Sequence, residues 1–151
     1  MHYRFIEEPD YEALAELEKE LLPGRPDSFY RCRPAALRFF ARSNHSFVAA
    51  DEGGLHGFVL AQAVWQGDRA TVLVSRIAAK DGQVYTGLLR ALLKSAYDAN
   101  AYEVALLLNR DERGDLFRAA TENDFRSSGL EMLVRVLGSR GTRGEIAGVF
   151  E

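Results

Sequence analysis

Residues 71–108 limit what this chain can fold into more tightly than any other stretch. They read as a strand (TVLVSRIAA), a short polar loop (KDGQ), a long amphipathic helix (VYTGLLRALLKSAYDANA) and a second apolar strand (YEVALLL). Along the helix Val84, Leu88, Leu92 and Ala96 form an i, i+4 row with Leu89 and Leu93 beside it. That is the pattern of a helix that lays one stripe on a sheet. Such a unit aims the backbone N–H groups of the loop and helix start at whatever lies above the strand, which makes an anion site. Gly82 in the loop and Gly87 in the first helical turn would let a ligand approach that backbone closely.

The flanking segments complete the pattern. Tyr3, Phe5 and Ile6 begin a short strand closed by Pro9, and Asp10 suits the cap of a helix carrying Leu14, Leu17 and Leu21. Prolines at 23 and 26 end that helix, and Pro34 suits the first turn of another, with Leu37, Phe40 and Ala41 on one face. Residues 47–50, a turn at 51–54 and residues 56–66 read as a hairpin. Its second strand is apolar at nearly every position, as in a strand buried on both faces. Residues 67–68 turn it back into strand 71–79. Residues 115–123 read as a short helix, 130–137 as an alternating strand and 145–150 as a last strand. Antiparallel hairpins in the middle exclude a doubly wound parallel sheet. The expected fold class is α/β (α+β), with a mixed, mostly antiparallel sheet of six or seven strands and about four helices on both faces. It forms a single domain over residues 1–151.

Composition narrows the function. A net charge of −3 on 151 residues argues against nucleic acid as a partner. Acids crowd residues 7–20, and the helix 10–22 reads as a solvated face or as a selector of a basic acceptor, while Arg135, Arg140 and Arg143 lie near the end. The single cysteine, Cys32, excludes an internal disulfide and a cysteine-based metal cluster. Three dispersed histidines suggest no metal site. No segment has signal-peptide or membrane-spanning character, so a cytoplasmic location without membrane association is expected.

Several residues fall at telling intervals. Ile77-Ala78-Ala79 ends a strand, Gly87 stands in the following helix start, and Leu92-Leu93 follows without a gap. Asn109 lies near the end of the next strand, and Phe125 follows the short helix. In this order and at this length the chain resembles the GNAT superfamily of N-acetyltransferases, as a motif-degenerate bacterial branch. The resemblance implies that acetyl-CoA or another acyl-CoA is a substrate. Backbone groups of Ile77, Ala78 and Ala79 would meet its pantetheine arm and thioester. Tyr85, Thr86, Gly87 and Leu88 would cradle the pyrophosphate, and Asn109 would line the coenzyme side. The acyl acceptor would be a small-molecule or peptide amine, shaped by the loop 23–33 with Tyr30. A homodimer is left open.

The sequence departs from the family pattern at four positions. Val84 stands in the slot of the motif's Arg/Gln, and Leu89 in that of its second Gly/Ala. Ala120 occupies the slot of the tyrosine that protonates the departing thiolate, and alanine has no proton to give. Asp124 replaces the glycine before Phe125. Two functions therefore compete: an acyl-CoA-dependent N-acyltransferase with unassigned catalytic side chains, and a non-catalytic ligand-sensing or protein-interaction module on the same scaffold. Other candidates are His45 as a base near the slot, Gln62 as a slot residue, and Arg76 as a surface residue or an anion contact. Trp65 reads as a rim or core aromatic, and residues 138–144 (GSRGTRG) as a hairpin turn or an anion loop.

Overall fold

A computed structural model describes residues 1–22, 32–109, 111 and 113–135. Among these, five strands form one sheet in the order β1-β2-β3-β4-β5. They are β1 (His2–Phe5), β2 (Phe47–Asp51), β3 (Gly54–Gln66), β4 (Arg69–Ala79) and β5 (Glu103–Leu106). Pairing is antiparallel from β1 to β4, and β5 lies parallel to β4, with Thr71 opposite Glu103 and Val74 opposite Leu106. Parallel pairing of consecutive strands needs a crossover. The helix α3 (Gly82–Asp98) supplies it.

Alternation along the strands divides the core into two layers. Val59, Ala61, Val72, Val74, Ile77 and Ala79 face α3 and α4 (Asp115–Glu122), with Leu88, Leu89 and Leu92 packed on them. Val48, Phe58, Leu60 and Ala78 face α1 (Tyr11–Leu21) and α2 (Pro34–Arg42), meeting Leu14, Leu17 and Leu37. A mixed sheet with helices on both faces is thus the observed architecture.

Three expectations need correction. The described residues hold five strands, not six or seven. Residues 130–135 pair with no strand among the described residues, and Leu130, Met132, Leu133 and Val134 are all exposed. Alternation marks a strand only where an edge and a core face receive it. The expected strand at 145–150 lies outside the described residues, as do residues 136–137, 138–144 and 23–31. The acidic face at 7–20 is also not wholly solvated. Asp10 is buried against Arg4, which donates to both of its oxygens at 2.7 and 2.8 Å, and Glu18 is buried under β4.

One irregularity sets the direction of the last residues of β4. Leu60 pairs with Arg76 but Ala61 pairs with Val74, so Ser75 is an extra residue bulged out of β4. A bulge re-aims the residues after it. Continuing the alternation of Val72 and Val74 would point residue 76 at α3. The bulge instead sends Arg76 to the α1 face and Ile77 to the α3 face.

Candidate functional site

β4 is paired with β5 only from Thr71 to Val74, so on the side away from β3 its remaining length to Ala79 has no strand beside it among the described residues. Lys80 donates its N–H to the His56 carbonyl of β3 at 2.9 Å. By strand alternation Ala78 also faces β3, whereas Ile77 and Ala79 turn their N–H and C=O groups to the open edge. Their side chains are buried, so this edge offers backbone alone. Asn109 is exposed, three residues beyond the end of β5.

The start of α3 differs from the expected cradle. The helix begins at Gly82 rather than at residue 84, because Asp81 caps it: the Asp81 carboxylate accepts the Val84 N–H at 3.0 Å. The Asp81 carbonyl accepts the Tyr85 N–H at 3.1 Å. Gly87 therefore stands in the second turn, where the N–H groups of Thr86, Gly87 and Leu88 belong to the helical ladder. A carboxylate now holds the position that helix N-termini offer to anions. Gly87 has another occupation as well. A Cβ built on it would overlap the phenol end of Tyr3, 1.9 Å from Cζ and 2.1 Å from the hydroxyl oxygen, and that hydroxyl reaches the Gln83 carbonyl at 3.5 Å. Burial, then the Asp81 charge, raises the Tyr3 phenol above its ordinary value. Leu89 and Val84 both point into the core, so neither side chain obstructs the opening. Val84 presses on Gly57, where an added Cβ would lie 2.8 Å from its Cγ1.

On the other face of β4, Arg76 is neither a surface residue nor a free anion contact. Its guanidinium pairs with Glu18, and both side chains are about nine-tenths buried. The second Glu18 oxygen accepts the Cys32 N–H at 2.6 Å. Burial, then the Glu18 carboxylate, pushes the Cys32 thiol far up. A buried pair closed by a backbone donor fixes α1, the start of α2 and the bulge to one another.

The remaining candidates disperse. His45 bonds Ser95 near the far end of α3, roughly 20 Å along the helix from Gly82, and is remote from the opening. His56 bonds Asp51 across the hairpin at 2.7 Å. Trp65 is 73% exposed at the β3–β4 tip, in neither rim nor core. Gln62 is half-buried opposite Leu73, away from the β4 opening. Ala120 is buried on α4, so no proton donor stands in that slot. An open cleft of about 1040 Å³ runs along the outer side of α3 between Tyr3 and α4. Its charges are mixed: Arg90, Lys94 and Arg118 alternate with Asp81, Asp115 and Glu122. Among the described residues no group of three or more His, Cys, Asp or Glu could hold a metal ion. No described helix is long and apolar enough to cross a membrane.

Sequence reasoning missed Asp81, Tyr3 and Glu18. An aspartate three residues before Val84 is a capping signal and was available. Tyr3 and Glu18 meet partners 84 and 58 positions away, Gly87 and Arg76, and carry no local signal.

Comparison with known proteins places this geometry. A family model described as "Protein of unknown function (DUF1999)" matches residues 1–146. No curated protein matches the chain. The structure of TTHA1254 from Thermus thermophilus is 45% identical with a TM-score of 0.77, over 93% of this chain and 100% of that one. The aminoglycoside N-acetyltransferase AAC(6')-Iy in complex with CoA aligns at a TM-score of 0.71 and 18% identity, over 89% of this chain and 93% of that one. A ribosomal-protein-alanine N-acetyltransferase from Brucella melitensis aligns at 0.66 and 16%, over 90% and 100%. The fold is GNAT-like.

Proposed function

The chain belongs to the DUF1999 family, and we propose that it is an acyl-CoA-dependent N-acyltransferase acting on a small-molecule or peptide amine in the cytoplasm. One observation carries this reading: among the described residues the β4 edge from Ile77 to Ala79 has no strand on the β5 side. An extended, amide-bearing pantetheine arm fits such an edge, because outward N–H and C=O groups of Ile77 and Ala79 supply the pairing a neighbouring strand would. A fixed N–H at this edge also polarises a thioester carbonyl as a neutral amine attacks it. The acetyltransferases of similar fold support the reaction class, and one of them is in complex with CoA.

The pyrophosphate end fits less well. Contacts at Tyr85, Thr86, Gly87 and Leu88, with Asn109 opposite, require Asp81 to release the helix N-terminus. That single carboxylate favours a second reading, a non-catalytic GNAT-fold module that senses a ligand or binds a protein. Titration calorimetry with acetyl-CoA and CoA separates the two. A dissociation constant below about 100 µM, together with amine-dependent release of CoA thiol, supports the enzyme. Binding without thiol release across a panel of amines supports the sensor. No heat at millimolar CoA removes acyl-CoA from both.

A further inference from the structure

Two pairings of β4 change at the same residue. On the β3 side the register slips between Leu60, opposite Arg76, and Ala61, opposite Val74. On the other side β5 accompanies β4 only to Val74, opposite Leu106. Ser75 is therefore the residue that nothing on β3 faces, and also the first one past the end of the β5 pairing. A bulge bends its strand and strengthens the local twist. Here the bend falls at the fork from which the β4 edge runs open to Ala79.

Within residues 71–79 three side chains carry an exchangeable proton: Thr71, Ser75 and Arg76. Thr71 is buried at the far end of the strand and donates to Glu103 at 2.9 Å. Arg76 is turned to the α1 face and held by Glu18. Of the three only Ser75 is exposed, and no described residue bonds its hydroxyl. Ile77, whose N–H and C=O face the opening, follows two residues later. In extended chain that is about 7 Å, which lets a serine hydroxyl reach a thioester held at Ile77 directly or through one water.

Transfer from a thioester to an amine must take a proton from nitrogen and give one to sulfur. A group that does only one of these needs a pKa matched to the task. A hydroxyl that gives one proton while receiving another needs no such tuning, because it ends as it began. Ala120 supplies no proton. Resting on the acyltransferase reading above, we infer that Ser75 is the proton relay of this site. The neutral amine nitrogen attacks the thioester carbonyl, and the C–N bond forms as the C–S bond breaks. The proton on nitrogen passes to Ser75 Oγ while the Ser75 hydroxyl proton passes to the departing sulfur. An amide and the CoA thiol leave, and the serine is regenerated in the same step.

Thiol release by the full chain, with acetyl-CoA and a panel of primary amines, tests the inference. Ser75→Ala is expected to lower kcat by about a hundredfold and to leave both the KM for acetyl-CoA and its calorimetric affinity unchanged. Ser75→Thr keeps the hydroxyl and is expected to recover most of the lost rate. The wild-type side chain is exposed and bonds nothing described, so urea midpoints of the three proteins should coincide. A Ser75→Ala protein with wild-type kcat overturns the inference and leaves the acyltransferase reading standing. So does a loss that Ser75→Thr fails to recover, or one matched by a fall in the urea midpoint. A wild type that releases no thiol with any amine overturns the reading and the inference together.

Discussion

The ring of Tyr3 on β1 fills the space where any other residue at position 87 of α3 would carry its Cβ. Gly87 thus serves packing between the first strand and the crossover helix, whatever else it does. Glycine inside a helix ordinarily costs about 1 kcal/mol relative to alanine. Gly87→Ala should nevertheless destabilise the chain by about 1–3 kcal/mol, through a clash the ring must move to relieve. In a Tyr3→Ala background the same change should stabilise it by about 0.5–1 kcal/mol. Urea unfolding of the four proteins reads the sign directly. The same sign in both backgrounds would remove Tyr3 as the reason for this glycine.

Asp81 joins stability to ligand binding. Asp81→Ala loses the cap on Val84 and should cost about 1 kcal/mol. Asp81→Asn retains a capping oxygen without the charge, so it should leave stability nearly unchanged. If the α3 N-terminus receives a pyrophosphate, the neutral cap should tighten acetyl-CoA several-fold in calorimetry. Unchanged affinity would place the phosphates elsewhere.

The unit 71–108 is legible in the sequence because its apolar period changes from near-continuous to helical and back, and each change falls at a polar loop. Five strands and four helices follow from patterns of that kind. The bulge at Ser75 does not, because it is a property of pairing with Leu60 and Ala61 and no residue type announces it. Arg76 consequently reads as exposed when it is buried on Glu18. Residues 130–135 mislead in the opposite direction, since period-two alternation is necessary for a half-buried strand but does not provide an edge to pair with. At the site, Gly87 and the strand end 77–79 are visible as motif matches. The carboxylate of Asp81 lies in the loop between the matched segments, two residues after Ala79 and three before Val84.

Asp124 adopts a backbone conformation that favours glycine. It stands at φ 65°, just beyond the end of α4, and the next residue, Phe125, donates its N–H to the Ala120 carbonyl at 3.0 Å. Left-handed backbone after a helix is where glycine is favoured. Asp124→Gly should raise stability by about 0.5–1 kcal/mol, measured as a higher urea midpoint with an unchanged slope. A fall in the midpoint would mean that the Asp124 side chain, near Arg126 at 3.3 Å, contributes more than the backbone strain costs.

The Glu18–Arg76 pair should behave as buried charge. Glu18→Ala leaves the guanidinium and the Cys32 N–H without this acceptor and should cost about 3–5 kcal/mol. Glu18→Leu combined with Arg76→Met removes both charges and should cost less than Glu18→Ala alone. A double variant as unstable as the sum of the singles would indicate that the two side chains act independently. Cys32, held neutral beside this pair, should react with a disulfide reagent only at the rate of global unfolding, and Glu18→Ala should accelerate that reaction in step with its loss of stability.

His45 makes stability depend on pH. His45 Nδ1 shares a hydrogen bond with Ser95 Oγ at 2.8 Å, and the Ser95 hydroxyl also lies 3.1 Å from the Leu92 carbonyl. Burial holds the His45 pKa below the ordinary value of 6.5, which favours the neutral imidazole in the folded chain. The unfolded chain takes up this proton first as pH falls. Stability contributed by the neutral ring is fully present above pH 6.5 and is lost progressively as pH falls from there through the folded-state value. His45→Gln should flatten this part of the profile, whatever it does to stability at pH 8. Urea midpoints at half-unit steps from about pH 8 to pH 5 measure the slope in both proteins. Equal slopes would assign the acid sensitivity in this range to groups other than His45.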